Sequence, residues 1–194
     1  LINATKLMRD WVAATSRAAL AGLAVGLGVS TASLVAVGAA WAPPHAAWAF
    51  PMCDGYGNVI GIRLRNERGK FAVRGSRQGI FLAAVPAQKT LVICEGPTDT
   101  AAALDLGFFA AGRPNCCCGG LEVRTYARRH ECAHAVIVSD NDKPGLDGAR
   151  KVGAELRMPY AIYVPPVKDL REFCRLGGSR NMIENTLKGT VWNV

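Results

Sequence analysis

At 194 residues, half of them hydrophobic and a fifth charged, the chain has the size and balance of one globular domain with an appendage, which excludes a disordered segment. The formal net charge of +8 invites a polyanionic partner, and the excess is segregated: +2 over residues 1–50, +5 over 51–89, and only +1 over 90–194. Seven cysteines without a C-x-x-C pair, beside three histidines, complete no zinc pattern and read as reduced cytosolic thiols.

Residues 18–42 carry no charge and are long enough for a membrane span, and Arg9 and Arg17 precede them as basic residues precede an export signal. The run is nonetheless rich in Ala, Gly, Ser and Thr. Leu20, Leu23 and Leu27 recur at helical spacing, LGVS interrupts, and Ser30 can cap a second short helix carrying Leu34, Val35 and Val37. This pattern favours a small helical hairpin packed on a neighbouring unit over a membrane or export segment. Pro43 and Pro44 then open a linker through residues 45–50, which closes an N-terminal segment of residues 1–50.

Residues 51–88 read as a small basic β-hairpin unit. A strand over 58–64 ends in alternating apolar and basic residues, NERG forms the turn, and 70–74 returns. Arg63, Arg65, Arg68, Lys70, Arg74 and Arg77 stand against the single Glu67. Such a hairpin could lie along a phosphate backbone, or could simply solvate the outer face of a half-buried sheet. Phe71 is its only aromatic residue, so no interleaved stacking platform is expected.

From residue 89 to 175 strands and helices alternate. Strands are predicted over 90–94, 108–111, 133–139 and 160–164, and helices over 98–106, 122–130, 146–156 and 170–176. A last helix falls within the tail, residues 176–194. This order implies an α/β fold with a parallel sheet covered on both faces, whose chemistry gathers at the carboxyl ends of the strands. The acids fall there. Glu95 follows the first strand in ICEGPTD, with Asp99 one turn on; Asp140 and Asp142 follow the 133–139 strand; Asp169 follows the last in VPPVKDL. Convergent carboxylates suit a hard cation, Mg²⁺ before Zn²⁺. In extended chain Asp140 and Asp142 face the same way and can share one site. Asp99 could instead stabilise a helix N-terminus, and Asp147 is read that way.

EGPTD followed by SDNDKPG, in this order and on these elements, resembles the Toprim domain shared by bacterial primases, topoisomerases, recombination mediators and some nucleases. The likeness covers about residues 89–175. The preceding NVIGIRLRNERGKFAVRGSRQGIF resembles the lead-in of bacterial replicative primases and phage helicase-primases, as GRPNCCCGG and VKDLREF resemble their later motifs. The resemblance implies a Toprim-like, Rossmann-like sheet. It implies Glu95 as a metal-linked general base or acid, Asp140 and Asp142 as ligands of Mg²⁺ (or Mn²⁺), and Asp99 and Asp169 as a second metal position. Arg63, Arg65, Lys70, Arg74, Arg77 and Lys168 would contact phosphates or template. The implied activity is synthesis of an RNA primer from nucleotides on single-stranded DNA, in the replication of a phage or mobile element. Its setting would be the cytoplasm at the nucleoid, with a replicative helicase as partner and no membrane. A Toprim nuclease, or a non-catalytic nucleic-acid-binding accessory, are the alternatives. No zinc-binding module and no Walker A motif are legible, so no fused helicase is expected.

Overall fold

The computed structural model describes residues 2–190, 192 and 193. Its first part is a larger sheet than a hairpin. Strands β1 (Ala40–Ala42), β2 (Ala47–Cys53), β3 (Val59–Asn66) and β4 (Gly69–Ala72) pair antiparallel in that order. The expected linker over 45–50 is therefore corrected: after a short 3-10 turn at Pro43–His45 the chain enters β2 at Ala47. Alternation of small and aromatic residues in Ala47, Trp48, Ala49 and Phe50 is a strand signal. Two prolines and a run of alanines, poor strand formers, hide it.

Those alanines have a packing reason. Ala40, Ala42, Ala47 and Ala49 form, with Ile62 and Leu64, the face on which α1 (Ala4–Ala14) lies through Ala4, Met8 and Trp11. Small side chains let the helix approach closely. Asn3 caps this helix by accepting from Lys6 N at 2.9 Å. The uncharged run folds as the expected hairpin, α2 (Arg17–Leu27) and α3 (Thr31–Ala36), with Gly28 at φ 70° ending the first and Ser30 capping the second. Among the described residues no helix is long and apolar enough to cross a membrane. Leu20, Leu27 and Leu34 pack instead against Phe50 and Met52 of the sheet.

The second part is a five-stranded sheet: β5 (Phe81–Leu82), β6 (Thr90–Glu95), β7 (Ala110–Arg113), β8 (His134–Val138) and β9 (Tyr160–Tyr163), in the order β5-β7-β6-β8-β9. Only β5 runs antiparallel to its neighbour. Helices α4 (Pro97–Asp105), α7 (Leu170–Arg175) and α8 (Arg180–Leu187) cover one face; α5 (Gly120–Arg129) and α6 (Lys143–Leu156) cover the other. The expected parallel sheet flanked by helices is present. Strand β7 lies two residues later than predicted, because pairing in register with β6 brings Gly112 and Arg113 opposite Cys94 and Glu95. The chain leaves β6 for β7 on one side and returns to β8 on the other. That reversal opens a crevice at the carboxyl ends of β6 and β8. Backbone bonds join the two sheets: Cys53 N donates to Ile80 O at 2.7 Å, and Ile80 N to Cys53 O at 2.8 Å. All seven cysteines are free.

Candidate active site

Strand β6 delivers Glu95 to the crevice. Gly96, at φ 84°, makes the turn out of the strand, and Pro97 starts α4 with the fixed φ a first helical turn wants. Behind that turn the packing is tight: a Cβ on Gly112 would stand 2.4 Å from Thr100 Oγ1.

Strand β8 delivers Asp140. The next residue is anchored, since Asn141 N donates to Lys168 O at 2.9 Å and so draws this loop against the one carrying Asp169. Asp142 caps α6, its Oδ1 accepting from Gly145 N at 2.7 Å. Asp169 caps α7 likewise, accepting from Glu172 N at 2.8 Å. A cap occupies one carboxylate oxygen and leaves the other, so capping and metal binding are compatible roles for Asp142. Asp147, expected near a helix N-terminus, sits within α6 and pairs with Lys143 at 2.8 Å on the exposed side.

The five acids divide into two groups. The side chains of Glu95 and Asp140 make no hydrogen bond or ion pair among the described residues, and one oxygen of Asp142 stays free beside them. Burial pushes the Asp140 carboxyl up to about 6; Glu95, Asp169 and Asp142 add repulsion, and Lys70 opposes them. Asp99 and Asp169, by contrast, share one cation. Arg171 Nε lies 3.4 Å from Asp99 Oδ1, and its Nη2 lies 3.2 Å from Asp169 Oδ2. Burial still pushes Asp99 up to about 7, against the pull of Arg171. A second metal position built on Asp99 and Asp169 would require this guanidinium to leave.

Among the described residues no three His, Cys, Asp or Glu side chains converge enough to enclose an ion. The donor chemistry nevertheless fits Mg²⁺, which takes one or two carboxylates and completes its shell with water and substrate phosphates. The mutual repulsion at Asp140 marks negative charge that a hard cation would neutralise.

Cations face the acids. Arg63 and Arg65 are half-buried on β3 and Lys70 is exposed on β4. Arg65 Nη1 donates to Thr98 Oγ1 at 3.2 Å, and Arg63 Nη2 to Pro114 O at 3.5 Å. Lys168 is exposed beside Asp169. Arg74 and Arg77 lie in an exposed turn beyond β4, where their side chains form no hydrogen bond or ion pair among the described residues.

Sequence reasoning missed three participants. Arg171 and Thr98 carry no signal outside the fold. Arg113 does: an arginine ending an apolar strand in AAGRPN is unusual, and it proves fully buried, opposite Glu95, with Nε and Nη2 unpartnered among the described residues. Outside the basic hairpin, Trp48 of β2 stands directly opposite Arg65 in the register of the sheet.

No protein-family model matches the sequence, and no curated protein matches it significantly. Solved structures do match, and they define a class: the fold is that of the catalytic core of bacterial and phage DNA primases. The chain is similar to the primase fragment of the bacteriophage T7 primase-helicase protein, with TM-score 0.64 and 18% identity over 82% of this chain and 71% of that one. It is similar to a DnaG primase catalytic domain bound to ssDNA, with TM-score 0.71 and 14% identity over 95% and 80% of the two chains. The zinc-binding and RNA polymerase domains of the Aquifex aeolicus primase give TM-score 0.72 and 13% identity over 98% and 60%.

Proposed function

We propose that this chain is a Toprim-type, primase-like nucleotidyltransferase that synthesises an RNA primer on single-stranded DNA during replication. The observation that carries this reading is the crevice at the reversal of strand order: Glu95, Asp140 and Asp142 edge it, and Arg63, Arg65 and Lys70 of the antiparallel sheet stand nearby. Acids for a metal and cations for phosphates are the two halves that nucleotidyl transfer needs.

Mg²⁺, with Mn²⁺ as a substitute, would be held by Asp140 and Asp142 with Glu95, and would supply positive charge beside the nucleotide phosphates and the attacking hydroxyl. Glu95, linked to the ion through one carboxylate oxygen, would accept the proton of the primer 3′-hydroxyl on the other. The hydroxyl oxygen bonds to the α-phosphorus of the incoming nucleotide as the bond to pyrophosphate breaks. Lys70 and Lys168 offset the negative charge that pyrophosphate carries away. Arg63 and Arg65 fix the strand through its phosphates, which carry position and no sequence information. A replicative helicase is the partner this role implies.

Arg171 favours one other reading. With Asp99 and Asp169 held by it, the free carboxylates suit a single ion, as hydrolysis of a phosphodiester would use. Oligoribonucleotide synthesis on single-stranded DNA, with Mg²⁺ or Mn²⁺, separates the two. Wild type is expected to make product, and Glu95→Gln and Asp140→Asn to make about 100-fold less. Equal product from Asp140→Asn would remove the proposal; metal-dependent cleavage of DNA or RNA without synthesis would replace it with the nuclease.

A further inference from the structure

One face of the antiparallel sheet is covered by α1; the other carries a row of four side chains. Trp41 on β1 stands opposite Trp48 on β2, Trp48 opposite Arg65 on β3, and Arg65 opposite Lys70 on β4. Directly opposed residues of antiparallel strands project to the same face, and neighbouring strands lie about 4.8 Å apart, so the row is about 14 Å long. The two indole rings meet edge to face, 5.4 Å between centroids at 69°.

Neither ring is fully buried. In front of them is a cleft of about 690 Å³, walled by Leu23 and Leu27 of α2 and rimmed by Arg65 and Arg68 with the single acid Glu67 between them. A second, separate cavity of about 210 Å³ lies on the other side of Leu27 and is lined by Lys168, Asp169 and Arg171. At the other end of the row, Lys70 lies close enough to Asp140 to act on its charge. Aromatic rings at one end, cations next, and the acidic crevice beyond make a graded track along one sheet face.

We propose that this cleft binds an unstacked nucleobase of a single-stranded nucleic acid. The base lies against Trp48 and Trp41, the phosphates beside it lie on Arg65 and Arg68, and the strand continues past Lys70 toward the crevice. Aromatic faces beside basic side chains are the recurring means of holding single strands without reading sequence. A duplex is a poor occupant, since its base faces are already stacked on one another. An apolar ligand would leave the exposed cation Arg68 at the rim unused. The direction of the strand rests on the primase reading; the base site itself does not.

The test compares three probes in the absence of divalent metal, by fluorescence anisotropy and competition: an oligothymidylate of roughly twelve nucleotides, an abasic strand of equal length, and a free nucleoside triphosphate. Wild type is expected to bind the thymidylate at least roughly fivefold more tightly than the abasic strand, the low end of one stacked base. Trp48→Leu and Trp41→Leu lose that preference while keeping affinity for the abasic strand. Trp48→Phe retains most of the preference, which a merely structural role would not predict. Arg68→Ala, at an exposed position, weakens both strands alike. Asp140→Asn binds as well as wild type or better, so a failure of polymerisation and a failure of this site are read separately. Equal binding of thymidylate and abasic strand by wild type overturns the site. A free nucleotide that displaces the strand at equal concentration overturns its assignment to a strand.

Discussion

Arg65 donates to the hydroxyl of Thr98 at 3.2 Å, and this bond ties the antiparallel sheet to the first turn of α4 beside the acids. Thr98 is only 4% exposed, so water cannot easily replace its partner. Hydrogen bonds that involve a charged group contribute roughly 1.5–3 kcal/mol, and part of that is recovered if the partner turns to solvent. Thr98→Val, which keeps the shape, is expected to lower stability in urea unfolding by about 1–2 kcal/mol. Arg65→Lys should lose a similar amount, because an ammonium lacks the planar fork. An unchanged urea midpoint in Thr98→Val would show the bond to be inert.

Arg171 is the cation between Asp99 and Asp169, and Arg171→Met leaves two acids facing each other. Removing one partner of a buried ion pair costs roughly 3–5 kcal/mol, and partial exposure here reduces that to about 2–4 kcal/mol. The pH dependence has a definite sign. The Asp99 carboxyl already sits at about 7, above its ordinary value of 3.8, so its ionised form is the costly one. The deficit of Arg171→Met should be largest above about pH 8 and should shrink as Asp99 takes up a proton toward about pH 5. Thermal melts across that range measure it; a deficit independent of pH would sink the assignment.

Asp140 makes a complementary prediction. Its folded pKa of about 6 lies above the ordinary 3.8, so the native state holds the extra proton between those values. Stability is lost as pH rises through that window and stays lost above it. Without divalent metal, Asp140→Asn should therefore be more stable than wild type at about pH 8, by about 1–2 kcal/mol once solvent screening is allowed for. Near pH 4 the two should melt together. Mg²⁺ should raise the melting temperature of wild type more than that of Asp140→Asn, and equal responses would argue that the ion binds elsewhere.

At Asp142 a pair of substitutions separates two roles. Asparagine caps a helix about as well as aspartate, so Asp142→Asn should keep wild-type stability while primer synthesis falls at least about tenfold. Asp142→Ala loses the bond to Gly145 N as well and should cost about 1 kcal/mol more in urea. If both variants lose the same stability, the cap contributes nothing measurable.

Much of the site is legible in the sequence, because strand ends are where apolar runs stop and Glu95, Asp140 and Asp169 stand at such stops. The α/β alternation is legible for the same reason: Leu91, Val92, Ile93 and Val136, Ile137, Val138 are buried on both faces and read as unbroken apolar runs. What the sequence conceals is pairing across space. Trp41 and Trp48 are separated by a short turn and Arg65 lies a full strand further on, and only antiparallel register makes the three neighbours. The same holds for Arg171, an ordinary helix-surface arginine until α7 packs against α4 and sets it beside Asp99. Strand β2 escapes notice because its alanines are chosen for the closeness of α1, a helix whose contribution is visible only once Met8 and Trp11 have something to cover.

The paired backbone bonds between Cys53 and Ile80 have a mechanical consequence. They stitch β2 to the segment entering β5, and Gly79 beside them admits no side chain, since a Cβ there would stand 2.3 Å from Cys53 O. The basic sheet and the acidic crevice are thus two walls of one stiff frame, without a hinge at this seam. On the proposed reading, a strand would be threaded between walls joined at this seam. Heat should melt the two walls in a single cooperative transition.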